Sequence, residues 1–270
     1  MLHKKSLGQH FLRSKGALDS IVAAANLTSS DVVLEVGPGE GVLTELLLQK
    51  AGKVIAVEKD DRLIPVLQQK FSAEISSGKF ELIHGDILFF SPTNYSLLTT
   101  NYKVVANIPY YITGALLRKF LEADRQPSTM VLLLQKEVAR RIVATDGKES
   151  ILSISIKAYG VPRYVGTVKA GSFSPPPTID SAIIAIENIS KDFFMEGASH
   201  SSSFNEGGPA TENERRFFQL LKKGFAHPRK LLASNLGFLP EKLEACGIAP
   251  KARAEELDVS NWKSLTELGG

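Results

Sequence analysis

The sequence predicts an α/β protein: an open, mostly parallel sheet with helices on both faces, an antiparallel pair of strands at one edge, and a small helical domain at the C-terminus. Three observations carry this expectation. Short apolar runs alternate with helix-like segments through the first half of the chain. Two β-rich runs, separated only by a proline-rich turn, follow Pro162. Beyond a stretch rich in Ser, Gly and Asn the pattern turns helical to the end.

Taken in order, the runs Asp31 to Val36, Lys53 to Val57, Tyr102 to Ala106 and Met130 to Leu134 are each too short for a helix and read as buried parallel strands, with Phe80 to Ile83 a weaker fifth. Helix-like segments lie between them at Gly41 to Lys50, Asp61 to Phe71, Thr113 to Leu121 and Lys136 to Val143. Such alternation places helices on both faces of a parallel sheet. The runs Val165 to Ala170 and Ile179 to Glu187 flank Ser174-Pro175-Pro176-Pro177 and are expected to pair antiparallel at a sheet edge. Gly197 to Ala210 has no apolar period and reads as a linker. From Thr211 onward, Phe217, Phe218, Leu220 and Leu221 followed by Leu231, Leu232 and Leu236 give a helical appendage. The expected division is 1–190, a linker 191–211, and a helical domain 212–270.

With 270 residues and 43% hydrophobic content, the chain can bury a sizeable core. No apolar run approaches bilayer length, and no apolar segment follows Met1-Leu2-His3-Lys4-Lys5-Ser6, so a cytoplasmic setting without membrane is expected. A single cysteine, Cys246, excludes an internal disulfide framework and a zinc site of several thiolates, and no metal is expected. Net charge is only +3, but its distribution is uneven. Lys4, Lys5, Arg13 and Lys15 crowd the N-terminus, and Arg215, Arg216, Lys222, Lys223, Arg229 and Lys230 crowd a later helix-like stretch. These read either as solvated faces or as a footprint for a phosphate backbone.

Glu35-Val36-Gly37-Pro38-Gly39-Glu40-Gly41 follows the first strand and opens a helix. Glycines there let the backbone approach a ligand closely, and the helix start presents unpaired N–H donors. In an open α/β sheet this is the crevice for a nucleotide-like ligand. Glu58 ends the second strand, where an acid grips a ribose hydroxyl pair. A nicotinamide-dependent oxidoreductase would use the same device, but its third glycine comes one residue later than Gly41 does. The compact spacing resembles the S-adenosylmethionine loop of Rossmann-like methyltransferases. His84-Gly85-Asp86-Ile87 closes the third strand, where Asp86 can accept from the adenine amine of that cofactor and Ile87 can lie against the ring.

Asn107-Ile108-Pro109-Tyr110 ends the fourth strand, and its chemistry points to adenine N6. That nitrogen is a poor nucleophile because its lone pair is delocalised into the ring. Two acceptors on its N–H groups, the Asn107 side-chain oxygen and the Ile108 carbonyl, would draw it toward tetrahedral geometry and aim the lone pair at a methyl donor. Pro109 fixes φ and stiffens the turn. Tyr110 offers a face on which a flipped base can stack.

On these residues the chain resembles the bacterial small-subunit rRNA adenine dimethyltransferases, over nearly its whole length. Lys5 to Leu12 matches the family's Gly-Gln-Asn-Phe-Leu segment, Glu35 to Thr44 its cofactor loop, and Asn107 to Tyr110 its Asn-Leu-Pro-Tyr. Phe173 to Ser181 is similar to its Phe-x-Pro-x-Pro-x-Val-Asp-Ser motif, and Ala226 to Leu236 to its Arg-Lys-x-Leu-x-x-Asn-Leu stretch. The resemblance implies a Rossmann-like class I methyltransferase sheet. It implies that His10, Leu12, Gly37, Gly39, Gly41, Glu58, Asp86, Ile87 and Asn107 hold S-adenosylmethionine, and that Phe173 closes the target adenine against Tyr110. Position 10 is His where the family usually has Asn.

The resemblance further implies two adjacent adenosines near the 3′ end of 16S rRNA as target, in an immature 30S subunit, with a monomeric enzyme. Lys4, Lys5, Lys222, Lys223, Arg229 and Lys230 are then the expected RNA contacts. Two alternatives stay open on sequence grounds: a 23S rRNA adenine methylase of the resistance type, and an RNA-binding assembly factor with a vestigial site.

Overall fold

The computed structural model describes residues 9–91, 101–195 and 211–268. Its strands, in chain order, are β1 (Phe11–Leu12), β2 (Val32–Val36), β3 (Lys53–Glu58), β4 (Phe80–His84), β5 (Tyr102–Asn107), β6 (Thr129–Gln135), β7 (Val161–Val168), β8 (Phe173–Ser174) and β9 (Ser181–Glu187). Helices α1 (Lys15–Ala25), α2 (Val42–Lys50), α3 (Ile64–Lys70), α4 (Ser72–Ser76), α5 (Thr113–Leu121) and α6 (Lys136–Val143) connect them. Helix α7 (Ile151–Lys157) precedes β7, and α8 (Glu212–Gly224), α9 (Leu232–Leu236), α10 (Pro240–Glu244) and α11 (Val259–Leu268) complete the chain.

Seven strands form one sheet in the order β4-β3-β2-β5-β6-β9-β7, while β1 and β8 form a separate antiparallel pair. Strands β2 to β6 run parallel, and β9 is antiparallel to β6 with Leu133 opposite Ile183. The central strands are covered on both faces and so read as unbroken apolar runs. Val33, Leu34, Val54, Ile55, Val104, Val105 and Leu132 have no exposed surface. Helix α1 begins where the Ser14 side chain accepts from the Ala17 N–H, and stops at Asn26, whose left-handed φ of 43° ends the ladder. Its apolar side, Leu18, Ile21 and Ala25, joins the core under the sheet.

The chain order reverses between β2 and β5: β3 and β4 lie on one side, β5 and β6 on the other. A crevice opens at such a switch point beyond the carboxyl ends of the strands. The edge differs slightly from expectation. Strands β7 and β9 are neighbours there, but the segment after β7 turns into a short 3-10 helix at Ala170–Ser172 and then pairs, as β8, with β1. That pairing of residues so distant in sequence carries no periodic signal.

The chain divides into two compact units, 1–139 with 163–189, and 140–162 with 190–270. The boundary therefore departs from the expected 1–190 at residues 140–162. The reason lies in an aromatic cluster of the second unit. Tyr159 packs edge-on to Phe194 and stacks on Phe218, and its hydroxyl donates to the buried Glu214 carboxylate. Residues 191–195, expected to open the linker, belong to the same cluster: Asp192–Phe194 is a 3-10 helix with Phe194 buried beside Phe217. The rest of the expected linker, 196–210, lies outside the described residues. Trp262 is fully buried in this unit, and the last residue of α8 is glycine because a Cβ on Gly224 would sit 2.3 Å from its ring.

Candidate active site

At the switch point the turn from β2 to α2 is forced into left-handed backbone at Gly37 (φ 67°), Gly39 (φ 59°) and Gly41 (φ 75°). Gly37 and Gly39 line the cavity that opens there. Open space surrounds Gly37, whereas a Cβ on Gly39 would meet the Phe11 ring at 3.0 Å. Gly41 does not line the cavity. A Cβ there would lie 2.5 Å from Phe71, so this glycine serves close packing of α2 on α3.

Glu58, at the end of β3, is 5% exposed and lines the same cavity. Its Oε2 accepts from the Gly39 N–H at 3.0 Å and its Oε1 from the Asp60 N–H at 2.8 Å. Burial raises its pKa, and these backbone donors pull it back down. Both oxygens keep acceptor capacity for a hydroxyl pair, since a carboxylate has about four lone-pair directions. Asp86, beyond β4, accepts from the Leu88 N–H at 2.9 Å and pairs with the Lys59 ammonium at 2.7 Å. Partial burial works upward on Asp86, but Lys59 and the Leu88 N–H hold it below the usual carboxylate range.

The segment Gln9 to Arg13 crosses this crevice and is fastened at both sides. Gln9 donates to Asp60 at 2.7 Å, and Arg13 pairs with Glu40 at 2.6 Å. β1 pairs with β8, setting Leu12 opposite Phe173. His10 sits between. Its Nδ1–H donates to the Pro175 carbonyl at 2.8 Å, its ring stacks on Tyr110 with centroids 6.2 Å apart, and its carbonyl accepts from Asn107 Nδ2 at 3.1 Å. That last contact orients the Asn107 amide and keeps its oxygen as the remaining acceptor. Ile108 is 2% exposed, with its N–H on the Leu133 carbonyl at 3.1 Å. Pro109 has φ −56°, and Tyr110 starts the 3-10 helix Tyr110–Ile112, with its hydroxyl 2.8 Å from Ser181 Oγ.

Of the expected site residues, His10, Leu12, Gly37, Gly39, Glu58, Asp86, Ile87, Asn107, Ile108, Pro109, Tyr110 and Phe173 all line one cavity. Lys4 and Lys5 lie outside the described residues. Lys222, Lys223, Arg229 and Lys230 are exposed on the second unit. Lys223 also has a structural task there, donating to the Leu236 carbonyl at 2.5 Å.

Glu35, which precedes the glycine loop, carries no sequence signal of a role in the site. It lines the cavity at 1% exposure, and burial pushes its carboxyl up to about 8, against the nearby Thr44 hydroxyl that pulls it down and with the Glu58 charge adding. Its Oε2 finds no hydrogen-bond partner among the described residues. A buried polar atom without a partner is costly, and a polar ligand in the cavity would relieve it. Together with open space over Gly37 and the two strand-end carboxylates, this donor and acceptor set fits a nucleoside-bearing cofactor with a charged tail.

The model of a family described as ribosomal RNA adenine dimethylase matches residues 1–268. A protein of Dehalococcoides mccartyi named ribosomal RNA small subunit methyltransferase A is 47% identical over 270 residues, covering 97% of this chain and 87% of its own length. A protein of the same name from Synechococcus elongatus is 39% identical over 284 residues, covering 98% of this chain and 95% of its own. Among solved structures, a dimethyladenosine transferase from Plasmodium falciparum superposes with TM-score 0.73 at 27% identity, covering 95% of this chain and 96% of that one. The 23S rRNA methyltransferase ErmE superposes with TM-score 0.74 at 25% identity, covering 96% and 98%.

Proposed function

The chain belongs to the ribosomal RNA adenine dimethylase family, and from that premise we propose that it transfers methyl groups from S-adenosylmethionine to N6 of adenine in small-subunit ribosomal RNA. The observation that carries the proposal is the orientation of Asn107. With its Nδ2 donating to the His10 carbonyl, its oxygen is presented as an acceptor beside the Ile108 backbone.

When bound, S-adenosylmethionine supplies an electrophilic methyl group. The chain's own residues do the rest. Glu58 would hold the ribose hydroxyls, Asp86 would accept from the cofactor's adenine amine beside Ile87, and Gly37 and Gly39 would admit the ligand close to the backbone. Leu12 and the His10 backbone, held by β1 and Asn107, cover it. Asn107 Oδ1 and the Ile108 carbonyl accept from the two N–H groups of the target amine and localise its lone pair. Tyr110 and Phe173 enclose the base from its two faces. No strong general base is needed, since the methylated ammonium is acidic enough to lose its proton to water. Positioning supplies most of the rate.

The target is read as two adjacent adenosines near the 3′ end of 16S rRNA, each dimethylated, within an immature 30S subunit in the cytoplasm, by a monomer. Small-subunit names on relatives at 39% to 47% identity support this target over the 23S alternative, which rests on a structure at 25%. The intact cavity supports a working enzyme over a vestigial one. The test is transfer of labelled methyl groups to undermethylated 30S particles: the wild-type chain transfers label, and Asn107→Ala transfers it far more slowly. Equal transfer by the variant would remove Asn107 from the mechanism.

A further inference from the structure

Resting on the adenine-methylating reading, we propose that Tyr111 and Phe89 are stacking platforms for the nucleotides that flank the target adenine. Tyr111 follows Tyr110 within the short helix Tyr110–Ile112 and lines the same cavity, yet it is 63% exposed while Tyr110 is anchored on Ser181. A strand whose adenine enters beside Asn107 and Tyr110 must carry its next base past this ring. Phe89 is 88% exposed in the turn that follows Asp86 and Ile87.

The Phe89 ring projects from a turn that is held firmly. The Phe89 N–H donates to the Asp86 carbonyl at 2.9 Å, and the Leu88 N–H to the Asp86 carboxylate at 2.9 Å. Lys119 of α5, the helix that continues directly from Tyr111, reaches across to the Leu88 carbonyl at 3.2 Å. Lys59, paired with Asp86, lines the same cavity as Tyr111. Tyr111 and Lys59 thus line the cavity, while the outward ring of Phe89 and the Lys119 ammonium flank the turn that carries Asp86 and Ile87 to it. Single exposed aromatics are ordinary, but faces and cations in alternation are how proteins grip unpaired RNA.

The experiment compares Tyr111→Ala, Phe89→Ala, Tyr111→Trp and Tyr111→Leu with the full wild-type chain. Two quantities are read: kcat/KM for methyl transfer to undermethylated 30S subunits, and affinity for S-adenosylhomocysteine. Each alanine variant should lose about 5- to 100-fold in kcat/KM. Tyr111→Trp should retain the rate, Tyr111→Leu should not, and cofactor affinity should stay unchanged throughout. Wild-type rates in the alanine variants, or full rescue by leucine, would overturn the proposal, because bulk alone would then suffice. A wild-type chain that leaves adenine unmethylated would instead overturn the parent reading, and this inference with it.

Discussion

Asn107 Nδ2 lies 3.1 Å from the carbonyl oxygen of His10, and this contact decides which end of the amide remains to accept a hydrogen bond from a substrate. The partner is backbone, so the identity of residue 10 does not set it. Histidine in place of the family's asparagine therefore leaves the orienting bond intact. The imidazole has its own task, on the Pro175 carbonyl.

Two variants separate these roles. Asn107→Ala should lower kcat for methyl transfer by about 100- to 1000-fold, the loss typical of one preorganised polar group, with the fold preserved. His10→Asn should keep cofactor affinity within a few-fold in a calorimetric titration. A collapse of binding in His10→Asn would mean that the imidazole itself holds the ligand.

Glu58 accepts from two backbone N–H groups, so its amide is not a neutral replacement. In Glu58→Gln an NH2 group must face one of those donors, leaving it buried without a partner. The expected outcome is a loss of about 1–3 kcal/mol in stability, together with a loss of S-adenosylhomocysteine affinity. Chemical denaturation and calorimetry on the same preparation check both.

Glu35 gives a pH signature. Its folded pKa, about 8, lies above the ordinary value of 4.5, so between these limits the folded state holds a proton that the unfolded state has released. The contribution of Glu35 to stability is thus full below about 4.5 and falls as pH rises toward 8. Glu35→Gln removes the titration. Melting temperature of the variant relative to wild type should increase steadily from pH 5 to pH 8 in thermal scans. A constant difference would show that this carboxyl does not titrate there.

Gly37 and Gly41 share a left-handed φ but differ in surroundings. Gly41→Ala adds a clash with Phe71 to the backbone strain and should destabilise by about 1–3 kcal/mol more than strain alone. Gly37→Ala suffers the strain but meets no atom within 4 Å, and its new methyl projects at a residue that lines the cavity. Denaturation curves should therefore rank Gly41→Ala as the less stable variant, while cofactor titration ranks Gly37→Ala as the weaker binder.

Neutralising Lys222, Arg229 and Lys230 together should weaken RNA binding and flatten its salt dependence, since each phosphate contact contributes close to one unit of slope. Lys223→Gln should also cost about 1 kcal/mol of stability through its bond to the Leu236 carbonyl. An unchanged salt slope would make the cluster ordinary surface charge.

The parallel strands were legible because each is an apolar run buried on both faces, and the strand-end motifs because their spacing is local. Thr113–Leu121 and Lys136–Val143 match to the residue. What local pattern cannot carry is pairing at a distance. The bond of His10 to Pro175 spans 165 positions, and β1 on β8 comparably many. At Gly41 a ligand-facing turn and a tight packing contact both call for glycine, and the Phe71 ring that packs there lies too far along the chain for local pattern to show it. Residues 140–162 and 191–195 were placed in the wrong body because Tyr159 and Phe194 find their aromatic partners on α8, far along the chain.

The central claim, adenine N6 methylation of small-subunit RNA, is tested most directly by nucleoside mass spectrometry. Undermethylated 30S subunits are incubated with S-adenosylmethionine and either the wild-type chain or Asn107→Ala, and their 16S rRNA is digested. The expected result is N6,N6-dimethyladenosine from adjacent positions near the 3′ end with wild type, and far less at equal incubation time with the variant. Methyl groups on another atom or base, or 30S subunits left unmodified by wild type, would contradict it.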